Sequence, residues 1–428
     1  MKQGFELGRR HLLGAGAALA ATTLAGCAGM TSGGPSIGRV VIVGGGYGGA
    51  TAARYLKLWG GNVDVTLIER QSEFVSCPIS NLVLGGYKTM ADITRGYGGL
   101  KAAGVKMVQG EAVAVDPGAR TVRLADGRTL AYDRLVLSPG VDFMLDQVGG
   151  LQAALDAGRV FHAWKAGPQT AALRGAIEGM RDGGVFAMFI PKAPYRCPPG
   201  PYERACVVAT YLKAAKPRSK LLIYDANPEI TSKKGLFQKA FSELHAGILE
   251  YRPNAELKEI AGNVARTEFD DVKADVINAI PPQRGGDLAR SAGLLNMNAR
   301  WAGVNWLTME STAVPGIHVL GDTTFSAPQM PKSGHMANQQ AKVAAAAIIQ
   351  LLQGAAVNPA PVVMNTCYSF VSDREAMHVA SVHQYNAAEK TFKTVPGSGG
   401  VSAARSLSEA RHALSWANNI WTDSLALA

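Results

Sequence analysis

Two groups of residues in this 428-residue chain could do chemistry: the cysteines Cys77, Cys197, Cys206 and Cys367, and the glycines Gly44, Gly46 and Gly49. A cysteine thiolate is a nucleophile, and two cysteines together carry two electrons by opening and closing a disulfide. Among Cys197, Cys206 and Cys367 the sequence alone permits three pairings. Cys77 on its own reads as a buried structural thiol. The glycines stand at the spacing of a GxGxxG turn. Such a turn needs glycine for a tight bend, for backbone approach to a pyrophosphate, and for close packing of helix on strand. No CxxCH occurs, so this sequence carries no c-type haem attachment site, and its eight histidines lack metal-ligand spacing, so no metal is predicted.

The elements that would position these residues follow from pattern. Arg39–Val43 is a short β-branched run, Ala50–Trp59 is helix-forming, and Val63–Ile68 is a second apolar run. It ends in Glu69, twenty residues past Gly49, where a carboxylate can accept hydrogen bonds from a ribose, with Arg70 beside it as a second cofactor contact. Strands are predicted over Val105–Val115 and Thr121–Leu124, and Tyr132–Gly140 is an apolar strand closing on a small-residue turn. Val185–Ile190, Tyr202–Ala215 and Leu221–Asp225 read as a second strand, helix and strand. The turn between the first two, PKAPYRCPPGPYERAC, holds one glycine and five prolines. Proline has no N–H and a fixed φ, so this turn cannot line amides along a pyrophosphate, and a nicotinamide nucleotide is not expected. Ala274–Ile280 and Gly316–Asp322 are further strands, the latter ending in Asp322. Lys332–Gly334 lead into a helix over Ala337–Leu352, whose positive end could favour negative charge nearby.

Hydrophobic residues make up 47% of the chain and charged residues 18%, which fits a packed protein of two or three domains. Residues 1–30 resemble a twin-arginine export signal: Arg9 and Arg10 precede an uncharged run, Leu12–Ala25, too short to span a bilayer. Leu24–Cys27 also resembles a lipobox, with Cys27 as the acylated residue of a lipid anchor. The expected compartment is therefore the periplasm, where disulfides persist. Of the formal net charge of +10, Lys2, Arg9 and Arg10 less Glu6 supply +2, leaving +8 that can attract an anionic substrate or an acidic partner. No Lys/Arg run of the nucleic-acid-binding type occurs.

The motifs GGGYGG, SCPISNLVLGG, CPPGPYERA, KADVINAIPPQRGG, GIHVLGD, MPKSGHMANQQAKVAAAA and NTCYSF, in this order, resemble the flavoprotein subunit of flavocytochrome c sulfide dehydrogenase. The likeness runs from about residue 37 to the SWANNI segment. It implies an α/β, two-dinucleotide-binding-domain flavoprotein of the glutathione-reductase-like, Rossmann type with a C-terminal interface domain. The FAD-binding domain would comprise 37–150 and 286–355, a second Rossmann-like domain without a nucleotide loop 151–285, and the C-terminal domain 356–428. Cys77 would be joined through a thioether to FAD, and Cys197 and Cys367 would form a redox-active disulfide beside it. Glu203, six residues after Cys197, would take the proton of the substrate H₂S. As a helix N-terminal acid it is equally well explained by the dipole. Asp322 would bind the ribityl or pyrophosphate region, Lys332 would stand near the flavin, and Trp416 would be an aromatic near it. Cys206 reads as a small core residue.

What the resemblance implies for function is oxidation of sulfide to sulfur or polysulfide, with electrons passed to a separate c-type cytochrome. A sulfide:quinone oxidoreductase shares the disulfide logic, and a non-catalytic flavin-bearing scaffold for a cytochrome is the alternative from another class. The sequence departs from the family at His335, which stands where the family has tyrosine, at the longer turn GDTTFSAP, and in a shortened Ser232–Asp271.

Overall fold

The computed structural model describes residues 35–427. The twin-arginine-type segment and the lipobox at Cys27 lie outside the described residues.

The β-branched run forms the strand Gly38–Val43, an interior strand of a seven-stranded sheet. It pairs in parallel with Val63–Glu69 on one side and Arg134–Leu137 on the other. Lys106–Gln109 forms one edge, while Ile317–Val319, Glu310–Ser311 and Val304–Asn305 continue the sheet on the other side. Val40–Val43 are buried throughout, as a strand covered on both faces requires. The helix after the glycine turn, Tyr47–Gly60, begins three residues earlier than its apolar pattern suggests, because Gly46 is its N-cap. A second long helix, Gly334–Leu352, lies against it. This one also starts early, because Ser333 caps it by accepting a hydrogen bond from Met336 N at 3.0 Å.

The predicted single strand over Val105–Val115 is two strands in different sheets. Lys106–Gln109 joins the parallel sheet, whereas Ala112–Asp116 pairs antiparallel with Thr121–Leu124 in a three-stranded sheet. The break is Gly110, whose N–H donates to Glu69 O at 3.0 Å and ends the first pairing.

A second parallel sheet has the order Val160–Phe161, Val276–Ala279, Val185–Ile190, Lys220–Asp225, Leu249–Arg252. The helix Gly200–Ala215 follows its central strand. Residues 362–394 form an antiparallel sheet of Val362–Phe370, Ala376–Asn386 and Thr391–Thr394, followed by the helix Leu407–Leu425. That last helix is fastened to the glycine-turn helix. Trp421 Nε1 donates to Tyr47 Oη at 3.0 Å, Thr51 Oγ1 to Ser424 Oγ at 2.9 Å, and Arg54 Nη1 to the Thr422 and Asp423 carbonyls at 2.6 and 2.7 Å. From Ile37 on, the chain is one compact unit.

Candidate functional site

The glycine turn is built as its spacing demands, and each glycine has a different reason. Gly44 has φ 96° and a Cβ there would lie 2.4 Å from Ser138 O; a Cβ on Gly49 would lie 1.8 Å from Gly44 O. A Cβ on Gly46 would meet nothing within 4 Å. It would instead fill open space at the N-terminus of a helix that no side chain caps. That space belongs to a cavity of about 1130 Å³, above the usual range of roughly 300–1,000 Å³ for small-ligand pockets. Glu69 is held at its edge, accepting from Gly45 N at 2.6 Å and Gln71 N at 2.8 Å. Arg70 also lines the cavity and makes a long ion pair of 3.9 Å with Glu111, both side chains exposed, so the pair contributes little.

The same cavity is also lined by Cys77, Cys197, Cys367, Glu203, Asp322, Lys332 and Trp416. Every predicted site residue except Gly49, which packs behind the turn against Gly44 O, is thus brought to one cavity. The described cysteines are free thiols. Cys206 is fully buried in the core of the second parallel sheet and does not reach the cavity. Cys197 sits in the left-handed region at φ 54°, a conformation that costs a non-glycine residue about 1 kcal/mol or more. It is kept there by its N–H, which donates to Lys332 O at 2.8 Å, and its carbonyl, which accepts from Gly200 N at 2.9 Å. Burial pushes the Cys197 thiol well above the usual thiol range, and the neighbouring Cys367 and Glu203 charges add to this. Burial also raises Cys367, while Lys233 and the Asn365 side chain oppose the rise.

Glu203 lies in the first turn of Gly200–Ala215 and is 8% exposed. Its two oxygens accept from Phe370 N and Asn81 Nδ2, both at 2.9 Å. Burial raises its pKa against these bonds. Beneath it, Arg204 donates to Asn81 Oδ1 at 3.1 Å, Asn278 Oδ1 at 2.9 Å and the His162 and Ala163 carbonyls at 3.0 and 2.7 Å. Burial lowers this guanidinium to about 9.

Asp322 Oδ1 is buried with no partner, and its Oδ2 is 3.8 Å from Arg196 Nη1. Arg196 also places Nη2 2.9 Å from Cys77 Sγ and donates to Trp164 O. Lys332 is turned mainly onto protein: its ammonium donates to the carbonyls of Asp322 and Thr324 and stands 3.8 Å from the Trp301 ring centroid. Burial lowers it to about 7. Trp416 meets His335 edge to face at 5.8 Å. His335 accepts from Thr366 N at its Nδ1, 2.9 Å, and burial lowers it to about 4. Its Nε2 therefore carries the proton at neutral pH.

Sequence reading did not single out Arg196, Lys233, Asn81 or Arg204. Arg196 had one signal, its place directly before Cys197 in the proline turn; the others depend on tertiary contact. The same turn follows the central strand of the second sheet, where a nucleotide's glycine loop would stand. The acid that ends its second strand, Asp225, is already taken by Tyr202 Oη at 2.7 Å, Tyr251 Oη at 3.0 Å and Asn227 N at 2.9 Å.

The residues fit FAD on three observations: a glycine cradle open where a Cβ would fill it, an uncapped helix N-terminus facing it, and the orphaned Asp322 oxygen suited to a hydroxyl donor. Among solved structures the chain is similar to the sulfide:quinone oxidoreductase of the hyperthermophile Aquifex aeolicus, with a TM-score of 0.74 and 19% identity over 90% of this chain and 91% of that one. It also resembles putidaredoxin reductase in its covalent complex with putidaredoxin, at a TM-score of 0.65 and 17% identity over 86% of this chain and 90% of that one. Fold and cavity together define a flavin-dependent oxidoreductase, and the pyridine nucleotide-disulphide oxidoreductase family matches residues 38–168.

Two more family descriptions match: the central region of the sulfide dehydrogenase (flavocytochrome c) flavoprotein chain over 170–281, and the flavin-binding region of flavocytochrome c sulphide dehydrogenase over 359–425. The flavoprotein chain of sulfide dehydrogenase from Chlorobaculum thiosulfatiphilum is 53% identical over 45 residues, which are 94% of that sequence and 10% of this chain. This chain belongs to the flavocytochrome c sulfide dehydrogenase flavoprotein family. Mitochondrial sulfide:quinone oxidoreductases from Mus musculus and Dictyostelium discoideum are more distant, 21% and 24% identical over 67% and 68% of this chain. The chain spans 65% and 66% of their lengths.

Proposed function

We propose that this protein oxidises sulfide through a Cys197–Cys367 redox pair and FAD, and delivers the electrons to a separate c-type cytochrome in the periplasm. The observation that carries the reading is the convergence of Cys77, Cys197, Cys367 and Glu203 on the cavity that begins at the glycine turn. FAD, when bound, supplies the two-electron acceptor, and Cys77 is the residue placed to hold it covalently.

The protein's own residues account for the sulfur chemistry. With the pair oxidised, HS⁻ attacks one sulfur; a new S–S bond forms, the Cys197–Cys367 bond breaks, and a persulfide and a thiolate remain. A second HS⁻ removes the outer sulfur as HSS⁻, leaving one thiol and one thiolate. Closing the pair again releases one proton and two electrons, so the balance is two HS⁻ to HSS⁻, H⁺ and two electrons. Glu203, raised by burial, receives the proton of H₂S and keeps the nucleophile as HS⁻. Cys77 sits under Arg196, which fixes its sulfur at the cavity wall.

The family match and the positive net charge support the cytochrome acceptor, and the sequence has no CxxCH of its own to carry a c-type haem. Quinone is the rival acceptor because of the more distant relatives. Among the described residues no helix is long and apolar enough to cross a membrane. The test is anaerobic sulfide titration of the flavin absorbance, then reoxidation by either cytochrome c or a soluble quinone. Bleaching by sulfide with reoxidation by cytochrome supports the proposal, and failure to bleach overturns it. Fluorescence that stays with the wild-type chain on a denaturing gel and leaves with Cys77→Ser tests the attachment.

A further inference from the structure

Lys233 is a lysine in a place where neither its backbone nor its charge is at ease. It is the N-cap of the helix Lys234–Leu244 at φ 53°, a left-handed conformation that suits glycine or asparagine, and it is 6% exposed. Its ammonium donates to Cys367 O and to Ser369 Oγ, both at 2.8 Å. Its stem passes the Phe237 ring, with Nζ 5.9 Å from the centroid. Among the described residues no carboxylate oxygen lies within ion-pair distance of it. A buried ammonium bonded only to neutral acceptors is costly, and a nonpolar side chain would fill this site without that cost.

The charged or titratable groups facing it come from four elements: Cys367 on the strand Val362–Phe370, Cys197 in the proline turn, Glu203 on Gly200–Ala215, and Glu409 on the C-terminal helix. Each favours the ammonium. The largest of these contributions is Cys367 and the next Glu203, while burial works against all of them and lowers Lys233 to about 8. The effect is mutual, since Lys233 opposes the rise of both cysteines. When the two sulfurs are bonded to each other they carry no charge, and the ammonium is undercompensated. When the bond opens, a negative charge appears beside it.

We propose that Lys233 is the counter-ion of the cysteine pair. It is a positioning residue whose ammonium, pinned to the backbone of Cys367 and to Ser369, holds the charge released on sulfur as the Cys197–Cys367 bond opens. The inference rests on the reading of these two cysteines as the redox pair. As HS⁻ bonds to one sulfur, the electron pair of the broken S–S bond stays on the other as a thiolate, and the ammonium neutralises it without a proton from solvent. Leaving sulfurs depart faster when their thiolates are stabilised, so the same contact accelerates opening. With the pair closed, the Cys367 and Cys197 contributions that raise Lys233 are gone, so its pKa lies lower than with the pair open, and opening draws a proton onto the neutral amine.

The test uses the full-length, flavin-loaded protein as wild type, Lys233→Met and Lys233→Arg. After reduction with dithiothreitol and its removal, Cys197 and Cys367 are trapped with iodoacetamide between pH 6 and 10 and read by peptide mass spectrometry, with no sulfide present. The expected result is alkylation of Cys367 at pH 7 slowed about tenfold in Lys233→Met, which is the effect of one unit in thiol pKa, and restored in Lys233→Arg. The rate of flavin bleaching by sulfide should follow the same order. Unchanged trapping in Lys233→Met overturns the proposal. So does an Arg variant as slow as the Met variant, since a charge in the same place would then have done nothing. If the wild-type flavin is not bleached by sulfide at all, the proposed function falls while the trapping series still judges Lys233.

Discussion

The turn after Val43 and the turn after Ile190 hold the same position in two parallel sheets, each between a buried interior strand and the helix that follows it. In the first, Gly44 and Gly49 let the backbone pack closely, Gly46 leaves it bare toward the cavity, and Glu69 at the end of the next strand is held at its rim. In the second, prolines replace glycines, Cys197 stands in a left-handed conformation, and the acid ending the next strand is consumed by Tyr202, Tyr251 and Asn227. One turn is shaped to receive a cofactor from outside. The other presents protein atoms, Cys197, Arg196 and Glu203, to that same cavity. The difference teaches that a nucleotide-binding topology fixes where a turn points, while its side chains decide what it delivers there.

The largest effects are expected at the second turn. Cys197→Ser or Cys367→Ser should lower the rate of flavin bleaching by sulfide about a thousandfold or more while flavin content is unchanged, because the thiol pair acts as a unit. Stopped-flow absorbance measures this, and a variant that keeps wild-type rates removes the redox role from the pair.

At the first turn the glycines should separate by mechanism. Gly49→Ala puts a Cβ 1.8 Å from Gly44 O and should cost about 3 kcal/mol or more in urea unfolding, together with flavin loss. Gly46→Ala meets no protein atom within 4 Å, so the flavin-free protein should keep its Tm while the flavin-to-protein ratio falls. Equal losses of stability in both would mean that Gly46 is there for the bend and not for a ligand.

A pH dependence is expected from His335, which lines the same cavity. His335 is held near 4 by burial against an ordinary 6.5, so its folded pKa is depressed and the unfolded chain binds its proton first as pH falls. Stability from this group should therefore be complete above about 6.5 and be lost as pH drops toward 4, by up to about 3 kcal/mol. His335→Phe should flatten that part of the unfolding profile. The smallest effect is expected from Tyr202→Phe, which removes one donor to Asp225 and should cost about 1–2 kcal/mol. It should not create NADH-dependent flavin reduction, because the proline turn still offers no amides to a pyrophosphate.

Much of the framework is written locally in the chain. The glycine turn, the strand Val185–Ile190 and the acid at Glu69 are each fixed by residues within twenty positions of one another, and the structure has them where the pattern places them. Val105–Val115 was not legible as two strands, because alternation does not show which sheet each half will join. Nor does spacing distinguish Cys197 from Cys206. Nine residues apart on a turn and its helix, they diverge only when the helix buries one face and the turn opens the other to the cavity. Lys233 was invisible for a related reason: a lysine in TSKKG reads as solvated surface until the strand Val362–Phe370 arrives to cover it.

The clasp between the helices Tyr47–Gly60 and Leu407–Leu425 has a consequence for how the protein is made. A ribosome finishes the dinucleotide turn within the first sixty residues but synthesises its outer brace, Trp421 to Ser424, some 360 residues later. Until then the nascent chain carries a cradle with one wall missing. Chains truncated before residue 407 lack this brace and should emerge with a lowered flavin-to-protein ratio.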